Sequence, residues 1–174
     1  MMNVPRTLIL DKFEDVNNKV CGNVMICNDE EVKRLMWQSA ACFEALPEVL
    51  EMPVGCCHGD LTFSNILFNG NNYYLIDFLD SFIESPLLDM VKLRQDTCYR
   101  WSTLMYEGDF DETRFHIVAD AIDRQLDEYF CQYAWYCDFY HSLQLMNFLR
   151  ILQYAKEEKV VIYLKKTIQS ILNQ

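Results

Sequence analysis

The sequence predicts a mainly α chain interrupted by one small β-hairpin, an α+β class. Three observations predict it. Apolar residues recur at helical spacing through most of the C-terminal half. Asn69-Gly70-Asn71-Asn72 separates two short runs rich in strand-forming residues. Capping residues and prolines stand where the helical patterns begin and end. Taken in order, residues 1–27 carry no pattern that assigns a structure. Asn28 followed by Glu31 has capping-box spacing and opens a helix to about Leu46, with Val32, Leu35, Met36, Ala40 and Phe43 on one face. Pro47 ends it. Residues 54–57 form an extended approach to His58, and residues 65–68 and 73–77 are the strands of the hairpin. Ser85-Pro86 is an N-cap and first-turn pair, after which Leu87, Val91, Cys98, Trp101 and Met105 continue one helical pattern. Asp109 and Glu112 open the next helix, carrying Phe115, Val118, Ile122, Leu126, Tyr129 and Tyr133 at helical spacing. Its run 120–128 reads as a solvated face with intrahelical pairs. Two more helices follow, over about 140–155 and 158–172, the second with Val161, Leu164, Ile168 and Ile171 inward.

Composition bounds the function. The 174 residues are 51% apolar and 24% charged, enough for one domain or somewhat more with a real core. The net charge of −11 repels phosphate backbones and anionic lipid, so neither nucleic acid nor a membrane surface is expected as partner. No apolar run has the length of a membrane span, and residues 7–10 are too short for a signal-peptide core, which points to the cytoplasm. The eight cysteines include no C-x2-C pair and read as reduced thiols, several of them small buried hydrophobes. Cys56-Cys57-His58 invites a zinc reading, but neighbouring side chains in an extended segment point opposite ways.

The chemistry gathers around the hairpin. His58-Gly59-Asp60-Leu61-Thr62-Phe63-Ser64-Asn65 precedes it and Ile76-Asp77-Phe78 follows it. Antiparallel pairing brings Asn65, at the start of one strand, beside Asp77, at the end of the other, with Asp60 at the same end. Two carboxylates and an amide converging there suit a hard divalent cation, with Asp60 free to orient a nucleophile. The order H-x-D-L-x-x-x-N with a later D-F resembles the catalytic and metal loops of the kinase-like small-molecule phosphotransferases, the aminoglycoside phosphotransferase and choline kinase type. Gly59 after the histidine and Leu79 after the phenylalanine suit that branch better than protein kinases.

The resemblance implies the C-terminal helical lobe of the protein-kinase-like fold over 28–174, with the N-terminal β lobe absent. Residues 28–46 would be its first helix, 54–77 its catalytic loop and metal-binding hairpin, and 85–174 its acceptor-binding region. It implies that Asp60 is the catalytic base and that Asn65 and Asp77 hold Mg²⁺. His58 braces the loop, and Asp89 in Ser85-Pro86-Leu87-Leu88-Asp89 supports the site from behind. ATP is then the phosphate donor and a small-molecule hydroxyl the acceptor. Asp80, Glu84, Arg94, Asp96, Trp101, Asp138 and Tyr140 are candidates to line the acceptor pocket. An acidic, aromatic pocket suits a cationic acceptor, whereas Lys92 and Arg94 would suit an anionic one. Gly22, Gly55, Gly59, Gly70 and Gly108 form no Gly-rich phosphate turn, and Lys12 and Lys19 lie in no strand of the V-A-I-K kind. An isolated lobe would turn over poorly and would tend to self-associate through its uncovered face. The alternative is a non-catalytic, pseudokinase-like binding or regulatory module.

Overall fold

The computed structural model describes all 174 residues. In chain order the elements are β1 (Met2–Pro5), α1 (Arg6–Gly22), α2 (Glu30–Glu44), β2 (Val49–Met52), β3 (Ile66–Asn69), β4 (Asn72–Leu75), α3 (Pro86–Thr97), α4 (Trp101–Met105), α5 (Glu112–Phe130), α6 (Ala134–Leu152) and α7 (Glu158–Leu172). The class is mainly α with two small antiparallel ladders, as the periodicity predicts. The chain forms two compact units, one of residues 1–52 with 139–174 and the other of residues 53–138. No helix is long and apolar enough to cross a membrane.

In the first unit β1 pairs antiparallel with β2, Val4 opposite Leu50 and Met2 opposite Met52. Val4, Leu50 and Met52 are buried on the shared face. Residues 1–27, unassigned from sequence, are therefore a strand and a helix, and the strand's partner lies more than forty residues away. The cap of α2 is Asp29 rather than Asn28. Its Oδ1 accepts from the amides of Glu31 and Val32, and its Oδ2 pairs with Lys165 Nζ of α7 at 2.9 Å. Asp29 serves better because one carboxylate satisfies helix-end donors and a lysine together. The face of α2 predicted to be apolar is buried at Val32, Leu35, Met36 and Phe43, and α7 buries Val161, Leu164, Ile168 and Ile171 against the same core.

The second unit is built on α3. Ser85 caps it, its hydroxyl accepting from Leu87 N–H, and Pro86 fills the first turn. The single helix predicted from Leu87 to Met105 is instead two, because Arg100 adopts a left-handed φ of 61° between α3 and α4. Hydrophobic spacing continues across such a break and conceals it. Helix α5 also differs from expectation. Val118 and Tyr129 are exposed, and only Ala119 is fully buried. The acidic run is solvated as expected at Asp120, Asp127 and Glu128, but Asp123 turns inward and Asp127 reaches back to the same partner. Arg94 Nε and Nη2 bind Asp123 at 2.9 and 2.8 Å, Nη1 binds Asp127 at 2.6 Å and Tyr136 Oη, and Thr97 Oγ1 donates to Asp123 at 2.7 Å. Arg100 pairs with Asp120. A guanidinium fork answered by two carboxylates one helical turn apart ties α5 to α3, beside the half-buried Phe115, Ile122 and Leu126.

Between these elements β3 and β4 form the predicted hairpin, Asn69 opposite Asn72. Gly70 takes φ 62° at the first turn position, which a II′ turn requires. Leu67, Phe68, Tyr73 and Tyr74 are exposed. All eight cysteines are free thiols, and none is fully buried, contrary to their apolar sequence settings. Charge divides unevenly. Residues 53–138 hold fifteen carboxylates against five lysines and arginines, whereas the remainder is nearly balanced.

Candidate active site

Segment 58–65 carries no regular structure except a 3-10 turn over Phe63–Asn65, so something must hold its backbone. Helix α3 does. Asp89 Oδ2 accepts from His58 N–H at 2.8 Å and Oδ1 from Gly59 N–H at 2.9 Å. Two turns further along the same face, Asp96 Oδ2 accepts from Phe63 N–H at 2.8 Å and Oδ1 from Ser102 N–H at 3.1 Å. The loop is thus gripped near both ends by carboxylates of one helix. Asp96 is almost fully buried, and its burial pushes its pKa up, against the pull of those two amides; the Asp60 charge adds to the rise.

Within the loop Asn65 Nδ2 donates to the Asp60 carbonyl at 2.8 Å and to Asp60 Oδ2 at 3.2 Å. Its amide oxygen is left over, which is the end a cation would take. Asp60 N–H donates to His58 Nδ1 at 3.3 Å, and the His58 ring stacks on Phe78 with centroids 4.4 Å apart. His58 Nε2 is buried and has no hydrogen-bond partner.

The loop also touches the segment after β4. Asn65 C=O accepts from Ile76 N–H at 3.1 Å, extending the hairpin ladder, and His58 C=O accepts from Leu79 N–H at 2.9 Å. Gly59 has φ 82°, and a Cβ there would stand 1.9 Å from the Leu79 carbonyl oxygen. Only glycine permits that approach. Asp77 sits between these two backbone bonds with a left-handed φ of 58°, its carboxylate exposed and without any hydrogen bond or ion pair.

Asp60 and Asn65 are therefore joined directly and Asp89 meets the loop through backbone amides, whereas Asp77 is tied to it only through the backbone of its neighbours Ile76 and Leu79, its carboxylate bonding neither Asp60 nor Asn65. Asp80 and Glu84 are exposed, and their side chains make no bond. Arg94 faces Asp123 and Asp127, and Trp101 is the half-buried first residue of α4. No three His, Cys, Asp or Glu side chains gather as a metal cluster. Lys92 is the residue whose place the sequence did not disclose. Its ammonium lies 3.0 Å from Asp60 Oδ1, and only 16% of its side chain is exposed. The signal was its spacing on α3, three residues after Asp89 and four before Asp96, which puts all three on one face. Cys57, beside the loop, has its thiol pushed up to about 11 by burial and by the charges of Asp89 and Glu84, which disfavours the thiolate form.

The family model of the phosphotransferase enzymes designated APH matches residues 24–124, more than half of the chain. The chain belongs to the APH phosphotransferase family. No curated protein and no solved structure matches it. The part of this APH chain that matches contains the loop, the hairpin, all of α3 and α4, and most of α5. Every residue that shapes the candidate site lies within it.

Proposed function

We propose that this APH chain is the catalytic lobe of an enzyme that moves the terminal phosphoryl group of ATP to the hydroxyl of a small molecule. The observation that carries the reading is the Asp60–Asn65 pair, held on α3 by Asp89 and Asp96. The donor set fits Mg²⁺: an amide oxygen turned away from Asp60 and an uncommitted Asp77 carboxylate are hard oxygen ligands. When bound, the ion would neutralise charge on the phosphate oxygens. Asp60 would take the hydrogen bond of the attacking hydroxyl and receive its proton as the new O–P bond forms and the bond to the leaving diphosphate breaks. His58 and Asp89 keep Asp60 in register. The carboxylate surplus of residues 53–138 favours an acceptor bearing amines.

One observation favours a second reading, a binding module without turnover. Both Asp60 oxygens are engaged, Oδ1 by Lys92 and Oδ2 by Asn65. The discriminating experiment is transfer of labelled phosphate from ATP to a panel of amino-alcohol and aminoglycoside acceptors. Slow, Mg²⁺-dependent transfer that vanishes in Asp60→Asn supports the enzyme; transfer that survives Asp60→Asn removes the base assignment. Turnover is expected to be slow, since the 174 residues contain no Gly-rich phosphate turn.

A further inference from the structure

We infer that Lys92 is a phosphate-binding residue of this site, its ammonium resting on Asp60 in the free chain and passing to an oxygen of the incoming phosphoryl group. The inference rests on the phosphotransfer reading above.

The first support is position. Lys92 projects from the middle of the α3 stripe whose ends, Asp89 and Asp96, hold the loop backbone, so its stem is fixed by the same scaffold that fixes Asp60. A mostly buried lysine loses rotamer freedom and part of its hydration, costs that a single ion pair with Asp60 only partly offsets. The second is charge. Asp60, Asp77, Asp89 and Asp96 all belong to this corner of the fold, and a polyphosphate entering it adds further negative charge. Of the five cations in residues 53–138, Arg94 is bound to Asp123 and Asp127, Arg100 to Asp120, and Arg114 and Arg124 stand on α5. Lys92 alone reaches the loop. The third is donor count. An ammonium has three donors, and Asp60 Oδ1 is the single partner of this one, leaving it able to serve the carboxylate and a phosphate oxygen together. Asp60 need not release Lys92 fully, and its Oδ2 remains the oxygen that faces Asn65.

The test is calorimetric titration of the full 174-residue chain with inorganic tripolyphosphate in excess Mg²⁺, a probe without adenine. Wild type, Lys92→Met, Lys92→Gln, Lys92→Arg and Asp77→Ala are compared, with thermal melts to verify folding. Lys92→Met keeps the stem and removes the charge. It is expected to weaken binding about ten- to a hundredfold, while Lys92→Arg stays within about threefold of wild type. Lys92→Gln gives the same loss should the methionine variant melt early. In a ¹⁵N-lysine spectrum the Lys92 Nζ resonance is expected to move on addition of the probe. Binding by wild type that Asp77→Ala abolishes and Lys92→Met leaves unchanged overturns the Lys92 assignment alone. No Mg²⁺-dependent binding by wild type overturns the phosphotransfer reading, and the assignment falls with it. Altered melting without altered binding marks a purely structural ion pair and also overturns it.

Discussion

Replacing Asp89 by alanine strips the loop of its anchor at the His58 end. Two amide N–H groups, of His58 and Gly59, lose acceptors 2.8 and 2.9 Å away. His58 and Asp89 are both buried, so water replaces the lost carboxylate incompletely. An unsatisfied buried donor costs about 1–3 kcal/mol, which for two donors gives roughly 3 kcal/mol once partial hydration of the half-exposed Gly59 is allowed for. For a chain of this length each kcal/mol corresponds to about 2–4 °C in Tm, so the midpoint should fall by roughly 6–12 °C. Asp89→Asn is the informative companion. Its one acceptor oxygen satisfies one amide while its NH₂ confronts the other, so about half the loss is expected. Circular dichroism gives the melting temperatures, and hydrogen exchange at the two amides reports whether the loss is local. An Asp89→Ala variant that melts within about 2 °C of wild type, with both amides still protected, would refute the anchoring argument.

Four further outcomes are expected. Gly59→Ala should cost about 3 kcal/mol or more in urea unfolding, because its methyl meets the Leu79 carbonyl and its φ is left-handed; a loss under about 1 kcal/mol would mean that the two segments part easily. Asp77→Gly should raise stability slightly, by up to about 1 kcal/mol, by relieving positive φ, while abolishing Mg²⁺-dependent binding of tripolyphosphate; unchanged binding would remove Asp77 from the metal site. Arg94→Met strands Asp123 in a part-buried setting and should destabilise by about 3 kcal/mol without a selective rise in acceptor KM; such a rise would return Arg94 to the acceptor pocket. Asp96 has a raised pKa, so the folded chain binds its proton more tightly than the unfolded one does. Its contribution to stability is therefore greatest at acid pH and declines as pH rises through that raised value. The stability of wild type relative to Asp96→Asn should accordingly be larger near pH 4 than near pH 7 in urea titrations, and a gap that widens with pH would contradict the burial argument.

What the sequence discloses follows a physical division. Local rules name local features. Ser85-Pro86 marked the start of α3, Asn69-Gly70 marked the hairpin, and Val161, Leu164, Ile168 and Ile171 marked the inward face of α7, because each depends on residues a few positions apart. The order of His58, Asp60, Asn65 and Asp77 was equally legible. Features set by distant partners were not. Strand β1 exists through β2, Lys92 meets Asp60 across 32 positions, and Asp123 is turned inward by Arg94. Arg100 conceals the helix break because a left-handed arginine carries no mark in sequence. The sequence offers Asp96 to the acceptor pocket, whereas both of its oxygens hold backbone amides, a role that only the loop's path reveals.

The crowding of acidic groups into residues 53–138 has a kinetic consequence. A triphosphate diffusing towards this unit meets a repelling field, and an amine-bearing molecule meets an attracting one. Dissolved electrolyte confines both fields to about 8–10 Å at physiological ionic strength. Adding salt should therefore speed the encounter with a triphosphate and slow that with an amine-bearing molecule, so one surface would bias two arrivals in opposite directions.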